Sequence, residues 1–266
     1  MSIAVGCEEG SPPIGWTGPK ERDDVPSLLM IVPSRGRPSN LDRLVEAWRT
    51  TSSGHADLVV ALDDDDPALY QYNAHRVAMV TVGPRQSFVS WTNEVAVDHV
   101  DDYRFIGSMG DDHRPRTVGW DRMLCEALDE IGSGIAYGDD LAASPILPSA
   151  VVLTSDIVSE LGYMVPPVVE HNGADTFWLE LGRGLGRAKF LPEVVIEHMH
   201  YTTGKSAIDH IYLEGADRLE RDRRALDRYL AERFPAEAGA LSSRLGEPRR
   251  RETAARGVAR LAPNQR

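Results

Sequence analysis

The chain predicts an α/β domain on a mostly parallel sheet flanked by helices. Three observations carry this: short apolar runs alternate with amphipathic helical patterns, four such pairs follow one another, and the unusual polar residues fall where the apolar runs end. Runs that are apolar at nearly every position suit strands buried on both faces, which a parallel sheet between two helix layers requires.

Residues 1–26, broken by Pro12, Pro13, Gly15, Gly18 and Pro19, read as a loose arm. Leu28-Leu29-Met30-Ile31-Val32 is the first strand and ends at Pro33-Ser34-Arg35-Gly36-Arg37-Pro38; Ser39 or Asn40 caps the helix carrying Leu41, Leu44, Val45 and Trp48. Residues 57–62 form the second strand, ending in Asp63-Asp64-Asp65-Asp66, and Pro67 starts a helix through Tyr72. Residues 77–82 are the third strand, residues 87–99 a helix bearing Phe88, Trp91 and Val95, and residues 103–109 the fourth strand. Thr117 caps a helix containing Trp120, Met123, Leu124, Ala127, Leu128 and Ile131.

After Gly134 the pattern changes. Apolar runs at 135–137, 150–154 and 194–198 lie between Pro-rich and Gly-rich loops, as in a mixed-sheet half that faces an acceptor. Residues 208–234 read as one charged helix with Leu213, Leu219, Leu226, Tyr229 and Leu230 on its apolar side, packed on the domain or on a second copy of it as a homodimer. The divisions are then an arm at 1–26, the main domain at 27–205, a helical segment at 206–234 and a basic flexible tail at 235–266.

Composition sets further bounds. A net charge of -12 opposes a surface that grips polyanions throughout, although seven Arg against three Glu after residue 234 give the tail +4. That tail is a solvated segment or a contact for nucleic acid. Two cysteines, Cys7 and Cys125, match no metal spacing, and neither a signal-like segment nor a membrane-spanning run is seen, so a cytoplasmic location is expected.

Ligands of open α/β sheets bind beyond the carboxyl ends of the strands, which brings five clusters together. Pro33, Ser34, Arg35 and Arg37 offer guanidinium and loop N–H donors to a base or diphosphate, or form a solvated loop. Of the four aspartates, Asp66 is the expected helix cap, while Asp63 or Asp65 is placed to accept from a uracil or ribose. Asp111 and His113, one residue apart at a strand end, share a side and suit one divalent ion, with Asp112 turned elsewhere or toward the ribose; a charged turn is the alternative. A nitrogen ligand beside carboxylates suits Mn²⁺ better than Mg²⁺. His198 and His200 also share a strand face, so either completes that metal shell, and Lys205 follows as a phosphate contact. Asp175 is a helix N-cap or a general base, with Glu170 the nearest substitute.

In this order the motifs resemble glycosyltransferases of the GT-A fold, particularly the family-two-like group and related enzymes encoded by phages of actinobacteria. Ile31-Val32-Pro33-Ser34-Arg35 is similar to that family's first strand and nucleotide loop, and Ala61-Leu62-Asp63-Asp64 to the strand whose aspartate contacts the base. Trp91-Thr92-Asn93 sits where the family carries an asparagine before its metal motif, which makes Asn93 a donor contact by resemblance. Asp111-Asp112-His113 is similar to the Asp-x-Asp signature or its Asp-x-His variant, Ala174-Asp175 to the Glu-Asp catalytic-base motif, and His198 or His200 to a late metal-ligating histidine. Alanine replaces the glutamate before Asp175, and His113 leaves the metal register open between Asp111/His113 and Asp112.

The resemblance covers residues 28–205 and implies a metal-dependent transferase. It would move a sugar from a UDP-linked donor to an acceptor hydroxyl, with inversion, in a cytoplasm that is the host's if the chain is phage-encoded. The acceptor would be modified DNA, a virion protein or an envelope glycan. Two other classes compete: a nucleotidyltransferase acting on sugar phosphates, whose glycine-rich first loop is missing, and a non-catalytic binding module of the same fold.

Overall fold

Alternate side chains of the first strand enter two different cores. In the computed structural model, which describes residues 27–73, 77–142 and 147–245, β1 (Leu28–Ser34) sends Leu29 and Ile31 to one face of the sheet and Leu28, Met30 and Val32 to the other. This follows from the two-residue period of a strand, and it explains why the run is continuously apolar. The expected arm at 1–26 lies outside the described residues.

The remaining elements are α1 (Pro38–Thr51), β2 (Ala56–Asp63), β3 (Met79–Gly83), α2 (Phe88–Asp98), β4 (Phe105–Ser108), β5 (His113–Pro115), α3 (Trp120–Ile131) and β6 (Ile135–Asp139). They are followed by β7 (Val151–Thr154), α4 (Ser155–Leu161), α5 (Ala174–Leu185), β8 (Ala188–His198), α6 (His210–Glu232) and α7 (Phe234–Arg244). The eight strands lie in the order β3-β2-β1-β4-β7-β6-β8-β5. The half made of β3, β2, β1 and β4 is parallel, as expected; β7 is antiparallel to both β4 and β6, and β8 runs parallel to β6. Helices α1 and α3 cover one face, while the other core draws on α2, α4, α5, α6 and α7.

Strand β8 is much longer than residues 194–198. Its first half pairs with β6, and its last three residues pair antiparallel with β5, setting His198 opposite His113. Between Gly138↔Leu191 and Asp139↔Val195 the register jumps. A Cβ at Gly138 would stand 2.2 Å from the Val194 carbonyl oxygen, so the bulge requires glycine.

Several local expectations are corrected. No side chain caps α1, whose N-cap is Arg37; Pro38 fills the first turn, where a missing N–H costs nothing. Pro67 starts only a 3₁₀ turn, Leu69–Gln71, in which Asp66 Oδ1 accepts from the Ala68 amide at 2.8 Å. Gly119, not Thr117, occupies the N-cap of α3. The Thr117 hydroxyl instead donates to the Glu193 carbonyl and accepts from the Val195 amide, clamping β8.

The long helix packs on its own domain through Leu226 and Tyr229, whereas Leu213 and Leu219 are exposed; its buried stripe runs Gly215, Asp222, Leu226, Tyr229. The start of the expected tail is ordered. Residues 234–244 form α7, whose Leu241 is fully buried, because Ala238 and Leu241 recur on one face against α5. Residues 246–266 lie outside the described residues. Among the described residues no helix is long and apolar enough to cross a membrane.

Candidate functional site

A cleft of about 710 Å³ opens at the carboxyl ends of β1, β2 and β4, lined by Ser34, Asp63, Asp111, Asp112 and His198 and, from α5, by Asp175. Strand direction delivers the first four, and the β5–β8 pair delivers His113 and His198.

The acidic motif divides its labour. Asp111 accepts from the Ser34 hydroxyl at 2.6 Å and faces Arg37 Nη1 at 3.4 Å. Burial, reinforced by the neighbouring Asp112, pushes its carboxyl up to about 6. Asp112 meets different partners, with Oδ1 3.3 Å from His113 Nδ1 and Oδ2 3.4 Å from His198 Nε2. Burial alone would raise Asp112, but the neighbouring imidazoles of His113 and His198 outweigh it and hold the carboxyl well below its ordinary range. Tyr212, from α6, also donates to Asp112 Oδ2 at 2.8 Å.

Asp112, His113 and His198 are thus the group among the described residues whose donor atoms lie within 4.8 Å of one another. Of the expected ligands, Asp112, His113 and His198 come together, whereas the Asp111 carboxylate turns to Ser34 and Arg37. His200 stays outside, because its Nδ1 bonds the Thr202 hydroxyl at 2.8 Å and caps the turn Tyr201–Thr203. It still lines the cleft, edge-on to Tyr212 at 4.8 Å.

Whether these donors fit a cation turns on the proton of His113. The Ser149 hydroxyl donates to Asp140 Oδ2 at 2.7 Å, so it accepts from His113 Nε2 at 3.2 Å, and the ring proton resides on Nε2. Burial and the charge of His198 lower the His113 pKa, which keeps the ring neutral. Nδ1 then accepts from the Gly110 amide at 3.1 Å, and the Asp112 carboxylate oxygen stands 3.3 Å away. One oxygen and two imidazole nitrogens form a donor set suited to a first-row divalent metal, and the Asp140–Ser149–His113 chain is the outer support such a histidine needs.

Asp175 stands in the first turn of α5, after the N-cap Gly173, so it is not the cap. Its Oδ1 accepts from the Thr176 amide at 2.8 Å, and burial raises its pKa. A carboxyl so placed and so shifted can take a proton.

The loop after β1 is held by its own ion pairs. Arg35 donates to Asp63 Oδ2 at 2.9 Å and to Asp65 at 2.5 Å, while Asp63 Oδ1 accepts from the Trp91 indole at 2.7 Å and the Gln86 amide at 3.0 Å. Arg37 forms a two-pronged pair with Asp209 at 2.8 and 2.6 Å and stacks 4.0 Å above the Tyr212 ring. Gly36 between them adopts φ +65°, and a Cβ there would meet His210 at 2.7 Å.

Two expected donor contacts are not in the cleft. The Asn93 amide is spent on backbone: it donates to the Val165 carbonyl at 2.7 Å and accepts from the Met164 and Val165 amides. Lys205 pairs with Glu197 at 3.1 Å and the Leu141 carbonyl at 2.9 Å, in a separate groove. Pro33 lines the cleft wall, and Asp65 stands half-exposed at Arg35. Tyr212, Asp209 and Ser149 escaped sequence reading. Tyr212 falls within a helical pattern that gives it no distinguishing spacing, and Ser149 lies beside a Pro-rich loop.

No family model matches the sequence, and no curated protein matches it. The structure is similar to residues 1–349 of Staphylococcus aureus TarS in complex with UDP-GlcNAc, with a TM-score of 0.53 and 12% identity over 82% of this chain and 71% of that one. It is also similar to GalNAc-T7 with UDP, GalNAc and Mn²⁺, with a TM-score of 0.50 and 11% identity over 66% of this chain and 44% of that one. The chain spans 36% of the longer S. aureus TarS structure. At these identities the likeness is one of fold, and the fold is the GT-A arrangement that the motifs imply.

Proposed function

We propose that the protein is a metal-dependent glycosyltransferase that moves a sugar from a nucleoside diphosphate donor, UDP-linked, to an acceptor hydroxyl. The observation that carries this is the cluster of Asp112, His113 and His198, whose donor atoms lie within 4.8 Å of one another in the same cleft as Asp175. UDP and Mn²⁺ accompany similarly folded proteins, which supports the donor class.

Asp112, His113 and His198 would hold the ion, Mn²⁺ by its tolerance of imidazole, with Mg²⁺ the harder alternative. When bound, it supplies charge neutralisation for the leaving diphosphate and Lewis-acid polarisation. Ser34 and Arg37 hold Asp111 in place, while Arg35, fixed by Asp63 and Asp65, offers its guanidinium edge to the base and ribose. Asp175 removes the acceptor proton as the hydroxyl attacks, and a single displacement of this kind inverts the anomeric carbon.

The test is calorimetry with UDP and UMP, with and without Mn²⁺, followed by nucleotide release from a panel of nucleotide sugars. UDP binding that a chelator abolishes supports the reading. Binding indifferent to chelator, or a preference for nucleoside triphosphates, contradicts it.

A further inference from the structure

A second groove, of about 630 Å³, runs behind the cleft and shares Tyr212 with it as a common wall. It gathers Arg43, Arg114, Arg116 and Lys205 in a chain whose net charge is -12. Arg116 and Lys205 share a single carboxylate, Glu197, at 2.7 and 3.1 Å, which offsets one of their two charges. Asp209, at the edge of the groove, is held by Arg37, and Glu46 stands exposed on α1.

Arg114 and Arg43 differ. Arg114 is only 6% exposed, yet among the described residues it has no ion-pair partner. Its Nη1 donates to the backbone carbonyls of Asp111 at 2.8 Å and His113 at 2.6 Å, and the carboxylates of Asp111 and Asp112 act on it from beyond ion-pair distance. The Nε and Nη2 donors of that guanidinium are left for another acceptor. Arg43, exposed on α1, likewise has no ion-pair partner among the described residues. Two guanidinium groups without an ion-pair partner among the described residues thus face one groove, where their free N–H donors are accessible to an anion.

We propose that this groove binds a phosphate group carried by the acceptor, through Arg114 and Arg43 with Arg116 at its edge. The proposal rests on the transferase reading, because it places the acceptor across the Tyr212 ring from the donor. A planar guanidinium fork matches two phosphate oxygens, which favours phosphate over a carboxylate-poor glycan. The ligand class is a phosphorylated sugar or polyol with one or two charges. An extended nucleic acid is disfavoured because Glu46 and Asp209 flank the cations, Tyr212 is the one aromatic side chain lining the groove among the described residues, and single strands need successive stacking platforms.

Calorimetric titration of glycerol 3-phosphate into the full chain tests this, with wild type compared with Arg43→Gln/Arg116→Gln, a variant confined to the groove's exposed cations. Saturable binding by wild type, weakened at least about tenfold in the variant, is expected. UDP affinity in the presence of Mn²⁺ should be equal in both. Absence of saturable phosphate binding, or equal affinity in the two proteins, overturns the proposal. Tighter binding of a short oligothymidylate than of glycerol 3-phosphate overturns it in favour of nucleic acid. Phosphate binding that persists where wild type fails to bind UDP with Mn²⁺ overturns the donor reading alone.

Discussion

The Tyr212 hydroxyl, carried by α6, donates a 2.8 Å hydrogen bond to Asp112 Oδ2 across one hundred residues of sequence. Burial and the Asp112 charge raise the phenol's pKa, so it remains a donor, and the C-terminal helix becomes a structural support of the candidate metal centre. Tyr212→Phe removes that support without a change of shape. Mn²⁺ affinity, measured by calorimetry, should fall by about tenfold while the thermal midpoint stays close to wild type; unchanged affinity contradicts the role.

The division between adjacent aspartates gives a sharper contrast. Asp112→Asn should weaken Mn²⁺ binding by more than about a hundredfold, because it removes the oxygen donor shared by His113 and His198. Asp111→Asn, whose carboxylate serves Ser34 and Arg37, should retain saturable Mn²⁺ binding. The reverse ranking restores the register Asp111/His113.

For Asp175→Asn the expectation is kinetic. The turnover number for transfer should drop by ~10²–10⁴-fold, with donor affinity unchanged, since Asp175 lines the cleft outside the Asp112–His113–His198 cluster and its proposed part is to take a proton. A loss confined to donor affinity would remove Asp175 from the base role.

Away from the cleft, Asp121 is a fully buried carboxylate that ties α3 to the loop between α1 and β2. It accepts from Ser52 Oγ at 2.7 Å, from the Ser53 amide at 2.8 and 3.0 Å, from Ser53 Oγ at 2.9 Å and from the His55 amide at 3.0 Å. Burial would raise its carboxyl, yet these bonds outweigh it and leave the pKa below its ordinary 3.8. Its stabilisation is therefore complete above the unfolded value and is lost as pH falls through the folded one. Asp121→Asn should cost about 2–3 kcal/mol in urea unfolding at neutral pH. The gap to wild type should close as pH is lowered from about 4; a gap that stays constant contradicts the account.

Gly138→Ala tests the bulge that lets one strand serve both β6 and β5. The added Cβ meets a backbone oxygen, not a flexible side chain, so a loss of about 1–3 kcal/mol is expected in thermal or urea unfolding. A neutral substitution would show that the bulge has room to shift.

Most of the parallel half was legible because its information is local. A run such as Leu29-Met30-Ile31 has no polar position, so it has to lie between two helix layers, and Ser34, Asp63 and Asp111 then sit at strand ends that share one edge. Strand order in the second half was not legible, since pairing β8 with both β6 and β5 depends on a bulge at Gly138 that no periodicity announces. Residues 235–244 read as tail because seven Arg dominate the composition of residues 235–266, although Ala238 and Leu241 carry helical spacing.

The sequence by itself determined the fold class, the acidic and histidine clusters and their convergence on one edge of the sheet, because strand direction alone places those ends together. Only the tertiary structure decided which side chains face one another. Asp112 rather than Asp111 meets the histidines, Asn93 and Lys205 leave the donor side, and Tyr212 arrives from the far end of the chain. The reason is geometric. At the turn after β4 consecutive carboxylates meet different partners, and which of them meets an imidazole depends on the β5–β8 register and on where α6 docks, both of which are set by contacts remote in sequence.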